Sequence, residues 1–132
     1  MSLLLDTCTL FWLSSDQDRL SKTSKEALVE YSGDLFVSAI SALECATKVA
    51  SGKLLLPASP QGANLWFRKV LDQHGITQVP VNFQIAGHAG ELPLRHKDPF
   101  DRLIVATAWE YRMTVVTPDH MIRQYSEIKC LW

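Results

Sequence analysis

Four carboxylates stand where alternating strands and helices would bring them together. Asp6 directly follows the apolar run Leu3-Leu4-Leu5, and Asp119 follows Val115-Val116 through Thr117-Pro118. Asp101 lies at the head of a helical stretch that starts near Pro99, and Glu44 lies one turn into an Ala-rich helical stretch after Val37. In a parallel sheet, ligands bind outside the carboxyl ends of the strands, and all four acids fall at strand-to-helix junctions on that edge. Acids grouped in this way repel one another and are costly to desolvate unless a cation compensates them. Oxygen donors without a His/Cys ligand set select Mg²⁺ or Mn²⁺. Such ions clamp a phosphodiester and activate water for in-line attack.

Each acid also has a plainer reading. Asp6 and Asp101 can cap or neutralise a helix start, Asp119 can make a turn after Pro118, and Glu44 can be a solvated helix residue. Both readings stay open for any one residue. Their joint placement on one edge favours a site, because capping does not require four acids together.

The elements that would hold these residues are short. Leu3 to Leu5, Leu35 to Val37, Thr114 to Val116 and Ile128 to Trp132 are unbroken apolar runs bounded by turn residues, the pattern of strands buried on both faces of a parallel sheet. Ile76 to Val81 is a weaker strand candidate. Helical spacing runs from Thr23 to Tyr31, from Ser41 to Ser51 before Gly52, from Gln61 to Gln73 before Gly75, and from Asp101 to Arg112. Strands alternating with helices predict an α/β/α sandwich around a mostly parallel sheet. No repeat, low-complexity tract or linker interrupts the chain, so residues 1–132 are expected to form a single domain.

Hydrophobic residues make up 47% and charged residues 20%, which supports an ordinary core. The formal net charge of -1 excludes a protein that holds nucleic acid by a global positive field, but not one whose bound metal supplies charge locally. Cys8, Cys45 and Cys130 are an odd number without close pairing, which fits a reducing cytosol better than a disulfide framework. The first residues lack a basic segment, and Asp6 interrupts their apolar run too early for a signal peptide. No stretch approaches the ~18 apolar residues of a membrane span. A soluble, cytoplasmic protein without membrane association is expected.

The stretches LLLDTCTLFWLSSDQDRLS, FVSAISALECATKVASGKL and HKDPFDRLIVATAWEYRMTVVTPDHMIRQY resemble, in order, the three motif segments of PIN domains, and the terminal IKCLW is similar to their short last strand. The likeness runs from end to end, with only Pro57 to Leu94 generic, and is nearest to the VapC-type toxins of toxin–antitoxin modules. It implies a PIN-like fold, endoribonuclease activity dependent on Mg²⁺ or Mn²⁺, an RNA substrate, frequent homodimers and inhibition by a small cognate antitoxin. By motif position, Asp6, Glu44, Asp101 and Asp119 correspond to the family's acidic metal-site residues. Thr7, Asp98, Arg102 and Thr117 are candidates to support those acids or to touch substrate. The family's common His after Asp-Thr is Cys8 here, which reads either as a buried structural Cys or as a thiol able to recruit a softer metal such as Zn²⁺.

Arg95, His96, Lys97 and Arg102, with His120 nearby, form a basic group that either binds RNA phosphates or is a solvated loop surface. His88, His96 and His120 match no zinc-ligand spacing. Trp12, Trp66, Trp109 and Trp132 read as core or dimer-contact residues. A phosphatase with a nucleophilic Asp on its first strand would want a second Asp at position 8, which is Cys, and neither GxSxG nor a Gly-rich phosphate loop is present. The alternative from another class is a catalytically weak PIN-like module that holds RNA or a protein without cutting. A degenerate site would be expected to lose some of its acids, and none is missing.

Overall fold

The computed structural model describes residues 1–56, 62–94 and 97–132. The four apolar runs and the weaker candidate become strands of one sheet: β1 (Leu3–Leu5), β2 (Leu35–Ser38), β3 (Thr77–Val79), β4 (Thr114–Val116) and β5 (Lys129–Leu131). Every pairing is parallel and the spatial order is β3-β2-β1-β4-β5. The chain therefore builds outward from β1 on one side, then crosses back to lay β4 and β5 on the other. That reversal opens a topological switch point between β1 and β4, where α/β sheets bind ligands.

Among the described residues, seven α-helices connect the strands: α1 (Thr7–Ser15), α2 (Lys22–Glu30), α3 (Ile40–Ala50), α4 (Ala63–His74), α5 (Phe83–Glu91), α6 (Pro99–Tyr111) and α7 (His120–Arg123). Successive strand residues point to opposite faces, so Leu3 and Leu5 join a core with α1, α2, α3 and α4, while Leu4 joins a second core with α5, α6 and α7. Val116 and Val115 divide in the same way. The result is the expected three-layer sandwich. All three β1 leucines are fully buried, each contributing roughly 1.5–3 kcal/mol relative to exposure.

Local chemistry explains the helix boundaries. The Ser21 hydroxyl accepts from Ser24 N at 3.0 Å and starts α2. Gly75, with φ of 62°, closes α4 in the left-handed conformation that a glycine adopts without a Cβ clash. Asp98 accepts from Phe100 N at 2.9 Å and starts α6, with Pro99 preset for the first helical position.

The structure departs from the sequence reading in a few places. The terminal run was expected to be buried on both faces, but β5 is an edge strand and only partly covered. In α6, Tyr111 points outward and is 47% exposed, and Val105 is fully buried. Helices α5 and α7 were not anticipated. Helix α5 contains Gly87 and Gly90, which weaken helical propensity, yet Ile85, Ala89 and Leu92 follow helical spacing behind an Asn82 cap. Residue Gln61, expected to open the third helix, lies outside the described residues.

Helix α5 ends without a glycine stop, and Arg102 of α6 supplies the missing donors. Its guanidinium donates to Gly90 O at 3.2 Å, Leu92 O at 2.8 Å and Pro93 O at 3.1 Å. Tyr125 Oη donates to the same Pro93 carbonyl at 2.9 Å. Arg102 is 7% exposed, so its loss would strand carbonyls away from water. Arg102→Ala should therefore lower the unfolding free energy by about 2–3 kcal/mol, read from urea denaturation at neutral pH. An unchanged midpoint would show that these carbonyls find water instead.

Candidate active site

Asp6 leaves the end of β1 and is at once the N-cap of α1. Its Oδ1 accepts from Thr9 N at 2.8 Å, and its Oδ2 accepts from the Thr117 hydroxyl. Cys8 Sγ lies 3.4 and 3.5 Å from the two carboxylate oxygens and donates to them. Only 4% of Asp6 is exposed. Burial pushes its pKa above the ordinary carboxylate value, against the opposing pull of the hydrogen bonds from Thr117, Thr9 and Cys8.

Thr117 joins two acids. Besides donating to Asp6, its hydroxyl accepts from Asp119 N at 3.0 Å, tying the end of β4 to the end of β1. Asp119 caps α7, its Oδ1 accepting from Met121 N at 2.7 Å and Ile122 N at 3.3 Å. The expectation of a simple turn after Pro118 gives way to a short capped helix, since the carboxylate satisfies amides that would otherwise be orphaned.

Glu44 points inward from α3 and is 9% exposed. Thr7 Oγ1 donates to its Oε1 at 2.6 Å and sits 2.9 Å from Ser41 Oγ. Lys48 Nζ lies 3.1 Å from its Oε2. Burial would lower the Lys48 pKa, but the hydrogen bond and charge of Glu44 outweigh it and hold the ammonium above its ordinary value. Cys8 and Asp101 also lie within electrostatic reach of that ammonium. Asp101 itself stands half-buried in the first turn of α6.

The acids are thus neighbours through shared partners. Cys8 feels the charges of Asp6 and Asp119, and Lys48 feels those of Glu44 and Asp101. Among the described residues, no three His, Cys, Asp or Glu side chains stand ready as a closed ligand cage. The donor chemistry nevertheless fits a hard divalent cation, because it consists of oxygens with Asp6 and Glu44 largely withdrawn from water.

Other sequence candidates fall differently. Thr7 and Thr117 both bind carboxylates. Asp98 serves as the α6 cap. Arg102, read as a support for the acids or a phosphate contact, holds the end of α5 through three backbone carbonyls. Lys97 and His120 are exposed, and Arg95 and His96 lie outside the described residues. Burial, followed by the Asp6 charge, pushes the Cys8 thiol far above its ordinary pKa. In this arrangement Cys8 serves as a hydrogen-bond donor to Asp6.

Sequence reasoning missed Lys48 and Thr9. The Glu44-to-Lys48 spacing of four residues on a helix was the available signal. The hydroxyl of Thr9 donates to Val116 O at 2.8 Å and fastens α1 to β4. A cavity of about 420 Å³ adjoins Thr7, Cys8 and Lys48, with Trp12, Trp66 and Phe67 among its other walls.

Comparison with known proteins places these features in context. The PIN domain model matches residues 3–128. Ribonuclease VapC22 of Mycobacterium tuberculosis is 32% identical over 125 residues, covering 94% of this chain and 92% of that protein. VapBC2 from Rickettsia felis, solved bound to a DNA fragment from its promoter, aligns with a TM-score of 0.69 at 15% identity over 98% of this chain and 97% of that one. A toxin–antitoxin complex from Klebsiella pneumoniae aligns with a TM-score of 0.66 at 19% identity over 96% and 95% of the two chains. At those identities the two structures speak for the fold.

Burial of Asp6 has a measurable consequence without metal. Its folded pKa is raised, so the folded chain holds this proton better than the unfolded chain does. Stability should fall as pH rises from the ordinary value of 3.8 through the folded value. Asp6→Asn retains a capping oxygen and has no such loss. Between pH 4 and pH 7, the metal-free variant should gain a few degrees of melting temperature on the unaltered chain. Identical pH dependence in the two proteins would mean that Asp6 ionises without penalty.

Proposed function

This chain belongs to the PIN domain family, and from that premise we propose that it is the toxin ribonuclease of a type II toxin–antitoxin pair, an endoribonuclease hydrolysing RNA phosphodiesters with Mg²⁺ or Mn²⁺. The single observation that carries the catalytic assignment is the Asp6–Thr117–Asp119 unit at the switch point, with Glu44 anchored beside it by Thr7.

In this proposal Asp6, Glu44, Asp101 and Asp119 hold the divalent ion. When bound, it supplies the charge that clamps the phosphodiester and lowers the pKa of an attacking water. The protein's part is positional. Thr117 and Thr9 fix the Asp6 carboxylate, Thr7 fixes Glu44, and the parallel pairing of β1 with β4 fixes the separation of the two strand ends. Carboxylates held in this way lose little freedom when they take up an ion.

The partners proposed are RNA, a small cognate antitoxin and a second copy of the chain. Similarity to the VapBC2 and Klebsiella pneumoniae complexes supports the antitoxin. A cationic antitoxin side chain directed at the acids would compensate them in place of metal. The proposed place of action is the cytoplasm, where reducing conditions keep Cys8, Cys45 and Cys130 as thiols. Among the described residues, no helix is long and apolar enough to cross a membrane.

Purified protein should cut RNA with Mg²⁺ or Mn²⁺ and stop on addition of EDTA. Asp101→Ala should abolish cleavage with little change in melting temperature. Asp98→Ala should lose about 1 kcal/mol of stability through its cap and keep measurable activity. An inactive Asp98→Ala beside an active Asp101→Ala would transfer the third metal-site role to Asp98. Expression of the chain alone should slow bacterial growth, and co-expression with a small antitoxin encoded immediately upstream should restore it. Normal growth with abundant folded chain would remove the toxin role while leaving the nuclease.

A further inference from the structure

Lys48 occupies the boundary between the acids and the adjoining cavity. It lies one helical turn beyond Glu44 on α3, and its side chain is 45% exposed where that of Glu44 is 12% exposed. The ammonium sits 3.1 Å from the Oε2 of a buried carboxylate, and Lys48 is one of the residues lining the cavity. Two more cations, Arg19 and Lys53, line the same cavity. Lys48 is the half-exposed partner and can be resolvated, while a divalent ion would replace its charge beside the buried Glu44 carboxylate. Lys48 then keeps its place on the helix but loses its acceptor.

A polyanion approaching the acids has no global positive field to draw it, since the net charge is -1. Cations at the cleavage site must therefore offset the phosphate locally. A lysine ammonium is a compact point charge with three donors and suits a non-bridging phosphate oxygen. Building on the ribonuclease assignment above, we propose that Lys48 is a phosphate-binding residue of the cleavage site, its ammonium resting on Glu44 in the metal-free protein and passing to the RNA phosphodiester once Glu44 is given over to a divalent cation. Lys53 extends the positive lining along the cavity, while Arg19 there is paired with Asp16 at 3.0 Å.

Two measurements on Lys48→Met and Lys48→Arg test this, with melting curves confirming that each variant is folded. Calorimetric titration with Mn²⁺ alone should show Lys48→Met binding roughly fivefold more tightly, because a competing cation has gone. Binding of a short mixed-sequence single-stranded RNA in Ca²⁺, with the RNA verified intact, should show a salt dependence in Lys48→Met shallower by about 0.7 in the slope of log K against log salt. Lys48→Arg should restore that slope. An unchanged slope in Lys48→Met, an unrestored slope in Lys48→Arg, or Mn²⁺ affinity in Lys48→Met equal to or weaker than that of the unaltered chain would each overturn the proposal. Unaltered chain that binds neither Mn²⁺ nor RNA would instead sink the ribonuclease assignment, and this proposal with it. The two failures are distinct.

Discussion

The carboxylate of Asp6 sits at the end of the central strand with almost no access to water, so its surroundings have to carry its charge. Burial alone would drive it to the neutral form. Three donors, Thr9 N, the Thr117 hydroxyl and the Cys8 thiol, oppose that pressure, and the N-terminus of α1 adds the partial positive charge of its unpaired amides. Each donor is delivered by a different structural decision. Thr9 requires α1 to start immediately after β1, and Thr117 requires β4 to lie beside β1 in parallel register. Through Thr117 the same network reaches Asp119, so one buried charge fixes how two strand ends and two helix starts are arranged.

Capping and ligand chemistry are often weighed as rivals for an acidic residue. In the proposed site they coincide for physical reasons. At the carboxyl edge of a parallel sheet, a strand end becomes a helix start within a residue or two. The orphan amides that need an acceptor are therefore presented where ligands enter. Asp6 and Asp119 both cap helices and both face this edge. Their hydrogen bonds hold the carboxylates in defined orientations, which is what a pre-organised site needs. Asp98 shows the other outcome, a cap of α6 backed by Pro99, three residues ahead of Asp101.

The central strands were legible because they are short, apolar and bounded by turn residues, and the placement of Asp6 at a strand end followed directly from them. Helix α5 was hidden by Gly87 and Gly90, whose effect on propensity masked the Ile85, Ala89 and Leu92 spacing that packing on α6 rewards. Arg102 was misread because a guanidinium beside acids suggests a polyanion. Only tertiary structure reveals that the α5 carbonyls lie within its reach. Lys48 escaped notice because an exposed helical lysine is common, and nothing in one dimension says that the glutamate one turn earlier is buried. Thr7 and Thr117 could be tied to the acids from their adjacency in sequence, but their exact acceptors required the strand register.

Among the described residues, the sheet also separates two cores with no side chain in common. Leu3, Leu5 and Val116 belong to one, and Leu4 and Val115 belong to the other. Substitutions deep in opposite layers, without common partners, combine nearly additively, so each half of the molecule is a separate reservoir of tolerance to change. The α5–α6 layer can drift in sequence while the α1–α4 layer stays fixed, and the reverse. Only the strand ends, where both layers meet, force the two histories to remain compatible. A lineage of such chains can therefore diversify its outer helical surfaces while the chemistry at the seam is inherited intact.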